Sequence, residues 1–238
     1  MGRIYSNSFF HYTQKYDVLV GILENGFIGS YANEQYPKAN GAIGHLYIPM
    51  ISFCDIPLSQ LQHIVYGNYA IGMSRLWGNE LPLCPVSYYP NKRSANITRF
   101  IIDCFDNFKN NPSLYTKLLG YVKPVKKYRE TGYAKQRRRD NYIEREWRKI
   151  YIKDWIENNE QYFAFKEKNG GSLLNQFIAR FHPSQVDMIV VKSDVDRGDL
   201  ISKINSLQQI GGYSDISKKE KLLLISKITT IDEIKKNY

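Results

Sequence analysis

Short runs of apolar and aromatic residues, bounded by Gly, Pro, Asn or Asp, recur along the chain and predict strands. Runs of this length and composition are typical of strands, whereas helices need a longer 3.6-residue periodicity. The predicted strands cover residues 8–13, 47–54, 69–73, 84–89, 121–128, 188–191 and 222–229. Residues 27–46 are rich in Gly, Asn, Tyr and Pro without clear periodicity, and they predict a long loop.

Helices are predicted where apolar residues fall on one face. Asp17 opens the first helix, in which Val18, Leu19, Ile22 and Leu23 share a face, and Asn25-Gly26 ends it. Further helices are expected over residues 59–65, 97–119 with an interruption at Asn111-Pro112, and 194–207. Residues 144–155 fit two patterns, because Trp147, Tyr151 and Trp155 have helical spacing while Glu144, Glu146 and Arg148 alternate as in a strand.

This mixture of strands and helices predicts an α+β fold. With 238 residues the chain is long enough to bury a sizeable core. We expect one domain over residues 1–238, in which residues 172–238 add strands and helices to the rest. The Gly- and Asn-containing stretch 168–172 resembles a linker more than any other part of the chain does.

Composition favours a cytoplasmic protein without membrane segments or metal. No run approaches the 18 or so apolar residues that a membrane span needs, and the amino terminus lacks the apolar core of a signal peptide. Cys54, Cys84 and Cys104 are too few and too far apart for a zinc site or a disulfide framework. The four histidines are scattered, so a histidine metal site is not expected either.

Positive charge is concentrated in one segment. The net charge is +10, and residues 117–149 contain twelve Lys and Arg against four Asp and Glu, a local excess of +8. A charged block of this kind is most often a solvated loop. The other interpretation is a surface for nucleic acid, a dinucleotide phosphate or an acidic partner protein, with tyrosines available for stacking. The candidate contact residues are Lys126, Lys127, Arg129, Arg137, Arg138 and Arg139.

The first candidate site is the segment Phe10-His11-Tyr12-Thr13. On a strand, His11 and Thr13 point to the same face, where they could bind ribose hydroxyls. A hydrogen-bonded core histidine is the commoner explanation of such a pattern.

The second candidate site extends from Pro49 to Gly72 and includes Ser52, Phe53, Tyr66 and Tyr69. Glycines beside tyrosines allow a flat ring to approach the backbone and stack. A tightly turned structural junction explains the same residues, since Gly and Pro mark turns more often than sites.

The third candidate site contains Glu144 and Glu146. Two carboxylates at i and i+2 share a strand face and repel, which should raise at least one pKa. Such a pair could orient a nucleophile and stabilise positive charge developing on a ribose. Alternatively, the two glutamates form ordinary ion pairs with Arg145, Arg148 or the basic segment on an exposed strand edge.

These segments, in this order, resemble the AbiGi family of bacterial abortive-infection proteins. The resemblance covers about residues 9–152 and is carried by Ser52-Phe53-Cys54-Asp55-Ile56-Pro57, Tyr66-Gly67-x-Tyr69-Ala70-Ile71-Gly72 and Glu144-Arg145-Glu146-Trp147-Arg148. It implies a role in phage resistance, with a cognate toxin or antitoxin as partner.

A more distant resemblance is to ADP-ribosyltransferases of the His-Tyr-Glu kind, including DarT-like toxins. It implies mixed or antiparallel sheets with flanking helices and NAD as substrate, without a metal. His11, Tyr12, Thr13, Ser52 and Phe53 would then line the NAD site, with Tyr66 or Tyr69 stacking on nicotinamide. Glu146, with Glu144 before it, would stabilise the oxocarbenium-like transition state.

Two functions therefore remain open from the sequence. One is an NAD-dependent enzyme that modifies nucleic acid or a protein. The other is a non-catalytic antitoxin that binds a toxin, with nucleic acid as a further candidate partner.

Overall fold

A computed structural model describes residues 6–58, 67–92, 94–106, 117–126, 140–151, 156, 158–169 and 177–237. The fold is α+β, as predicted. The strands are β1 Ser8–Thr13, β2 Phe27–Ile28, β3 Ser30–Pro37, β4 Ile43–Cys54, β5 Tyr69–Ser74, β6 Cys84–Pro85, β7 Ser87–Tyr89, β8 Val122–Pro124, β9 Glu146–Ile150, β10 Ile178–Ala179, β11 Val186–Val191 and β12 Ile228–Thr230. The helices are α1 Tyr16–Asn25, α2 Arg75–Glu80, α3 Asn96–Asp106, α4 Asn159–Asn169, α5 Asp194–Ser206, α6 Lys218–Ile225 and α7 Ile231–Asn237.

The chain divides into two compact units. The first unit contains Met1–Ile28, Ser52–Leu83 and Gln176–Tyr238, and the second contains Gly29–Ile51 and Cys84–Asn175. Strand β4 passes from the second unit into the first. The expectation of a single domain stays a prediction.

In the first unit, strands follow the order β12-β11-β5-β1, and Cys54 at the end of β4 pairs with Phe10. The pairs are antiparallel except for the parallel pair of β11 and β12. Helix α1 buries Leu19, Ile22 and Leu23, as its pattern predicts, whereas Val18 is exposed. The helix ends at Gly26, whose φ of 87° and close approach to the Ala179 carbonyl disfavour any side chain.

In the second unit, the whole of β3 pairs with β4. In the sheet, β9 lies next to β4 and pairs on its other side with β6. Strands β7 and β8 form a separate parallel pair. The core of this unit consists of Leu46, Ile48, Met50, Tyr89, Ile101, Leu119 and Ile150. The predicted loop over residues 27–46 is wrong, because most of that stretch forms β2, β3 and the start of β4. Pairing with β4 determines the conformation of β3, whose own residues carry little strand signal.

Several other boundaries differ from the prediction. Residues 222–229 are not one strand, because a capping box between Ser217 and Glu220 starts helix α6 at Lys218 and β12 begins only at Ile228. Residues 84–89 form two short strands, β6 and β7, and helix α4 has no counterpart in the prediction. Strand β9 rules out the helical alternative for residues 146–150. The helix expected at 59–65 lies outside the described residues. The helix expected at 97–119 is described only at its two ends, where α3 and residues 117–120 are helical.

Among the described residues, no helix combines the length and the apolar character needed to cross a membrane.

Candidate functional site

A cluster of five charged side chains, four of them buried and Lys123 partly exposed, lies in the second unit. Arg148 on β9 is completely buried and donates from Nε to Glu146 Oε1 at 2.7 Å and from Nη2 to Glu146 Oε2 at 2.9 Å. The same Nη2 also donates to Glu34 Oε1 at 2.7 Å, and Nη1 donates to the Gly120 carbonyl at 2.9 Å. Lys123 on β8 donates to Glu144 Oε2 at 3.0 Å and to Glu146 Oε2 at 2.9 Å. Three carboxylates thus surround two cations.

Burial and the neighbouring charges shift the pKa values of Arg148, Lys123 and Glu34 in this charge cluster. Burial by itself would lower the pKa of Arg148 and Lys123, but Glu146 and Glu34 outweigh it and raise both, so both side chains stay charged. Burial raises the pKa of the Glu34 carboxyl, while Arg148 and Lys123 oppose that shift. The pairing of Glu146 with Arg148 that the ion-pair alternative proposed is confirmed, but the site is buried and not an exposed edge.

The two glutamates come from different local structures. Glu144 ends a 3-10 turn, Asn141–Glu144, and Glu146 begins β9, so the expected common strand face is wrong. Between them Arg145 adopts the left-handed conformation, with φ 42° and ψ 54°. This reversal lets both carboxylates reach Lys123, which offsets their mutual repulsion. The Glu146 backbone N–H donates to Tyr88 Oη at 3.0 Å and fixes the start of the strand.

His11 lies in the first unit, on β1. Its Nδ1 is 2.8 Å from the Ser52 carbonyl oxygen, and because a carbonyl only accepts, Nδ1 carries the proton in this contact. Burial lowers the pKa of His11, partly opposed by the Ser52 hydrogen bond, so the ring is neutral at pH 7. The rings of Phe27 and Phe53 contact His11 edge to face. The core-histidine interpretation describes these contacts well.

The register of β1 and β5 brings two predicted residues together, since Thr13 is directly opposite Tyr69. Tyr69 is buried and donates from its hydroxyl to Asp196 at 3.4 Å, beside the ring of Tyr16. Tyr12 stacks on Phe10, and burial raises the pKa of its hydroxyl. Ser52 contributes its carbonyl to His11, and Phe53 packs in the core against Trp77. Tyr66 lies outside the described residues.

Of the predicted basic contact residues, only Lys126 lies in the described part of the chain. It is exposed, and its backbone is held by Asn91, which accepts from its N–H at 2.9 Å and donates to its carbonyl at 2.6 Å. A backbone bridge joins Lys126 to Asp140. Lys127, Arg129, Arg137, Arg138 and Arg139 lie outside the described residues.

Sequence reasoning missed Glu34 and Lys123. Glu34 lies in the stretch that predicted a loop, and 114 residues separate it from Arg148. No local pattern marks either residue, and only the pairing of β3 with β4 brings Glu34 into the second unit's interior. In the described part of the chain, no group of three or more His, Cys, Asp or Glu is placed to hold a metal ion.

Comparison with known proteins decides the family. The family model described as "Putative abortive phage resistance protein AbiGi, antitoxin" matches residues 25–192. This chain belongs to the AbiGi family. The AbiGi protein of Lactococcus lactis subsp. cremoris, named an abortive phage resistance protein, is 30% identical over 241 residues, covering 84% of this chain and 93% of that relative. No solved structure matches the chain.

Proposed function

We propose that this AbiGi protein is a non-catalytic antitoxin of an abortive-infection system, which acts in the cytoplasm by binding a cognate toxin. Two findings support the proposal. The family is described as an antitoxin, and a relative matched over 93% of its length is named for phage resistance. The observation on which the proposal chiefly depends is the charge cluster, in which the Glu146 carboxylate already has two cationic partners.

A glutamate that stabilises an oxocarbenium ion must present unneutralised negative charge to the substrate. Both oxygens of Glu146 accept short hydrogen bonds from Arg148, and one also accepts from Lys123. The carboxylate is therefore satisfied within the fold, and this favours a structural role over a catalytic one. A buried ion network of this kind is stable only if every member keeps its partners.

Co-expression with the protein encoded by the adjoining gene tests the antitoxin function. We expect the adjoining protein to arrest growth alone and this chain to restore growth when both are made. Glu144→Gln, which removes one negative charge from the cluster, should restore growth equally well at equal protein level. Failure of the wild-type chain to restore growth, or toxicity of this chain that Glu144→Gln or Glu146→Gln abolishes, would contradict the proposal.

A second candidate function is NAD-dependent ADP-ribosylation of nucleic acid or of a host or phage protein. The opposition of Thr13 and Tyr69 favours it, because it brings residues of the first and second predicted sites side by side. The tautomer of His11 also leaves Nε2 as an acceptor that a ribose hydroxyl could use. In this function His11 and Thr13 of the first unit bind the ribose and Tyr69 stacks on nicotinamide. The distant resemblance assigns the transition-state role to Glu146.

Labelled NAD incubated with the purified chain, with and without RNA, DNA and cell lysate, tests this second function. Glu34→Gln is a matched control for Glu146→Gln, because both carboxylates pair with Arg148 and only Glu146 has a proposed chemical role. An enzyme should lose label transfer in Glu146→Gln and retain it in Glu34→Gln. Absence of both transfer and nicotinamide release in the wild type would exclude the activity.

A further inference from the structure

Two large apolar side chains project into solvent from the 3-10 turn Asn141–Glu144 in the second unit. Tyr142 is 59% exposed and Ile143 is 53% exposed. Isolated exposed apolar residues are common on protein surfaces, so exposure alone indicates nothing. The informative feature is the set of contacts that fix the backbone carrying this pair.

The turn is held at both ends. Asp140 Oδ1 accepts from the Tyr142 N–H at 3.1 Å. The buried Asn141 donates at 2.8 Å to the carbonyl of Pro124, at the end of β8, and at 2.8 Å to that of Val125, which follows it. After the turn, Arg145 takes a left-handed conformation, which costs free energy for any residue with a Cβ. Glu144 and Glu146 on either side are tied to Lys123, so the charge cluster maintains this strained residue.

The side chain of Tyr142 is also oriented by its surroundings. Its ring meets Tyr88 edge to face, with centroids 5.4 Å apart and an interplanar angle of 79°. Tyr88 in turn accepts from the backbone N–H of Glu146, so the same β9 start fixes both tyrosines. Backbone strain maintained by surrounding structure is concentrated at functional sites, and rigid aromatic anchors dominate the binding energy of protein interfaces.

We infer that the Tyr142-Ile143 pair, here called the turn anchor, is the docking point for an acidic protein partner. The charge of the surrounding sequence specifies the partner, because residues 117–149 carry an excess of +8, and the pairing of Glu144 and Glu146 with Lys123 and Arg148 inside the cluster leaves that excess unchanged. The exposed Lys126 and the adjacent Arg145 belong to the same stretch. A partner with a negatively charged surface around an apolar pocket would bury both side chains and meet the positive charges of Lys126 and Arg145.

The inference rests on the proposed antitoxin function, in which the partner is the toxin. The probe is the purified protein encoded by the adjoining gene, titrated into wild type and variants. Tyr142→Ala combined with Ile143→Ala should weaken binding by at least about tenfold. Phe163→Ala is the matched control, because Phe163 lies in the same unit on α4 and is equally exposed, at 59%; its affinity should equal that of the wild type.

The sign of the partner's charge is tested at Ile143. Ile143→Asp should weaken binding more than Ile143→Lys, and the affinity of the wild type should fall as salt is raised. Circular dichroism should show all variants folded, since both side chains are exposed.

The two proposals fail in distinguishable ways. If the wild type binds the adjoining protein and the variants bind equally, the turn anchor is excluded while the antitoxin function stands. If the wild type does not bind, both are contradicted. The assignment of a protein partner would be overturned if Tyr142→Ala kept its binding to the adjoining protein and instead lost another interaction. That interaction would be binding to a single-stranded RNA oligonucleotide, or self-association measured by sedimentation.

Discussion

At the scale of single residues, His11 makes stability depend on pH. Burial lowers its pKa below the ordinary 6.5, so between its folded pKa and 6.5 the unfolded state binds more protons than the folded state. The stability that the neutral form of His11 contributes is therefore complete above pH 6.5, and it is lost as pH falls from 6.5 through the folded pKa. We expect the free energy of unfolding, measured in urea, to decrease from pH 7 to pH 5.

Comparison with His11→Asn isolates this contribution. Asn can still donate to the Ser52 carbonyl but does not titrate, so the variant should show a flatter profile over the same range. Glu34, whose pKa is raised by burial, contributes with the opposite sign, and its effect cancels when the two profiles are subtracted. Parallel profiles for wild type and variant would show that His11 does not titrate in this window.

Arg148 is the residue whose replacement should lower the free energy of unfolding most. Arg148→Met leaves three carboxylates around Lys123 alone, and breaking a buried ion network by removing one member costs about 3–5 kcal/mol. Adding Glu146→Leu removes one of the stranded carboxylates, so the double variant should be more stable than Arg148→Met alone. Chemical denaturation measures both, and additive losses would show that the charges are not coupled.

At the scale of secondary-structure elements, helix α6 depends on its first turn. Ser217 Oγ accepts from the Glu220 N–H at 3.2 Å, and Glu220 Oε2 accepts from the Ser217 N–H at 2.9 Å. Ser217→Ala should lower the free energy of unfolding by about 0.5–2 kcal/mol. Ser214→Ala, a nearby exposed serine before the helix, should have almost no effect in the same denaturation assay, and equal losses would exclude the cap as the cause.

Elements defined by local chemistry are the ones the sequence predicts. The stop at Asn25-Gly26 and the apolar runs of β1, β5 and β11 are readable because a few adjacent residues determine them. The capping box at Ser217 was equally local, and its recognition would have identified helix α6 in place of a strand. Strand β3 could not be predicted, because its residues become a strand only through pairing with β4.

In the candidate site, too, local contacts can be predicted from the sequence and distant ones cannot. The alternation of Glu146 and Arg148 predicts that they share a face, and the structure pairs them. Glu34 joins them across 114 residues of sequence, a contact that no local pattern encodes. The left-handed Arg145, which changes the relation of Glu144 to Glu146, is also invisible in the sequence, because Arg carries no preference for that conformation.

At the scale of the whole molecule, strand β4 contributes residues to both units. Ile48 and Met50 of β4 belong to the core of the second unit, and Phe53 of the same strand is buried in the first. Because one continuous strand contributes to both cores, we expect a single cooperative transition, in agreement with the single-domain prediction. Ile48→Ala removes a fully buried side chain and should cost about 2–5 kcal/mol.

Hydrogen exchange measured segment by segment tests this cooperativity. In a cooperative molecule, Ile48→Ala lowers the protection of the slowest amides equally in β4 and in β11, which lies in the first unit. Leu200→Ala, which removes a fully buried side chain from α5 in the first unit, provides the reciprocal variant and should lower the same amides. If each substitution lowered protection only in its own unit, the chain would consist of two separately stable domains. In that case the charge cluster and the turn anchor of the second unit could fold and bind without the first.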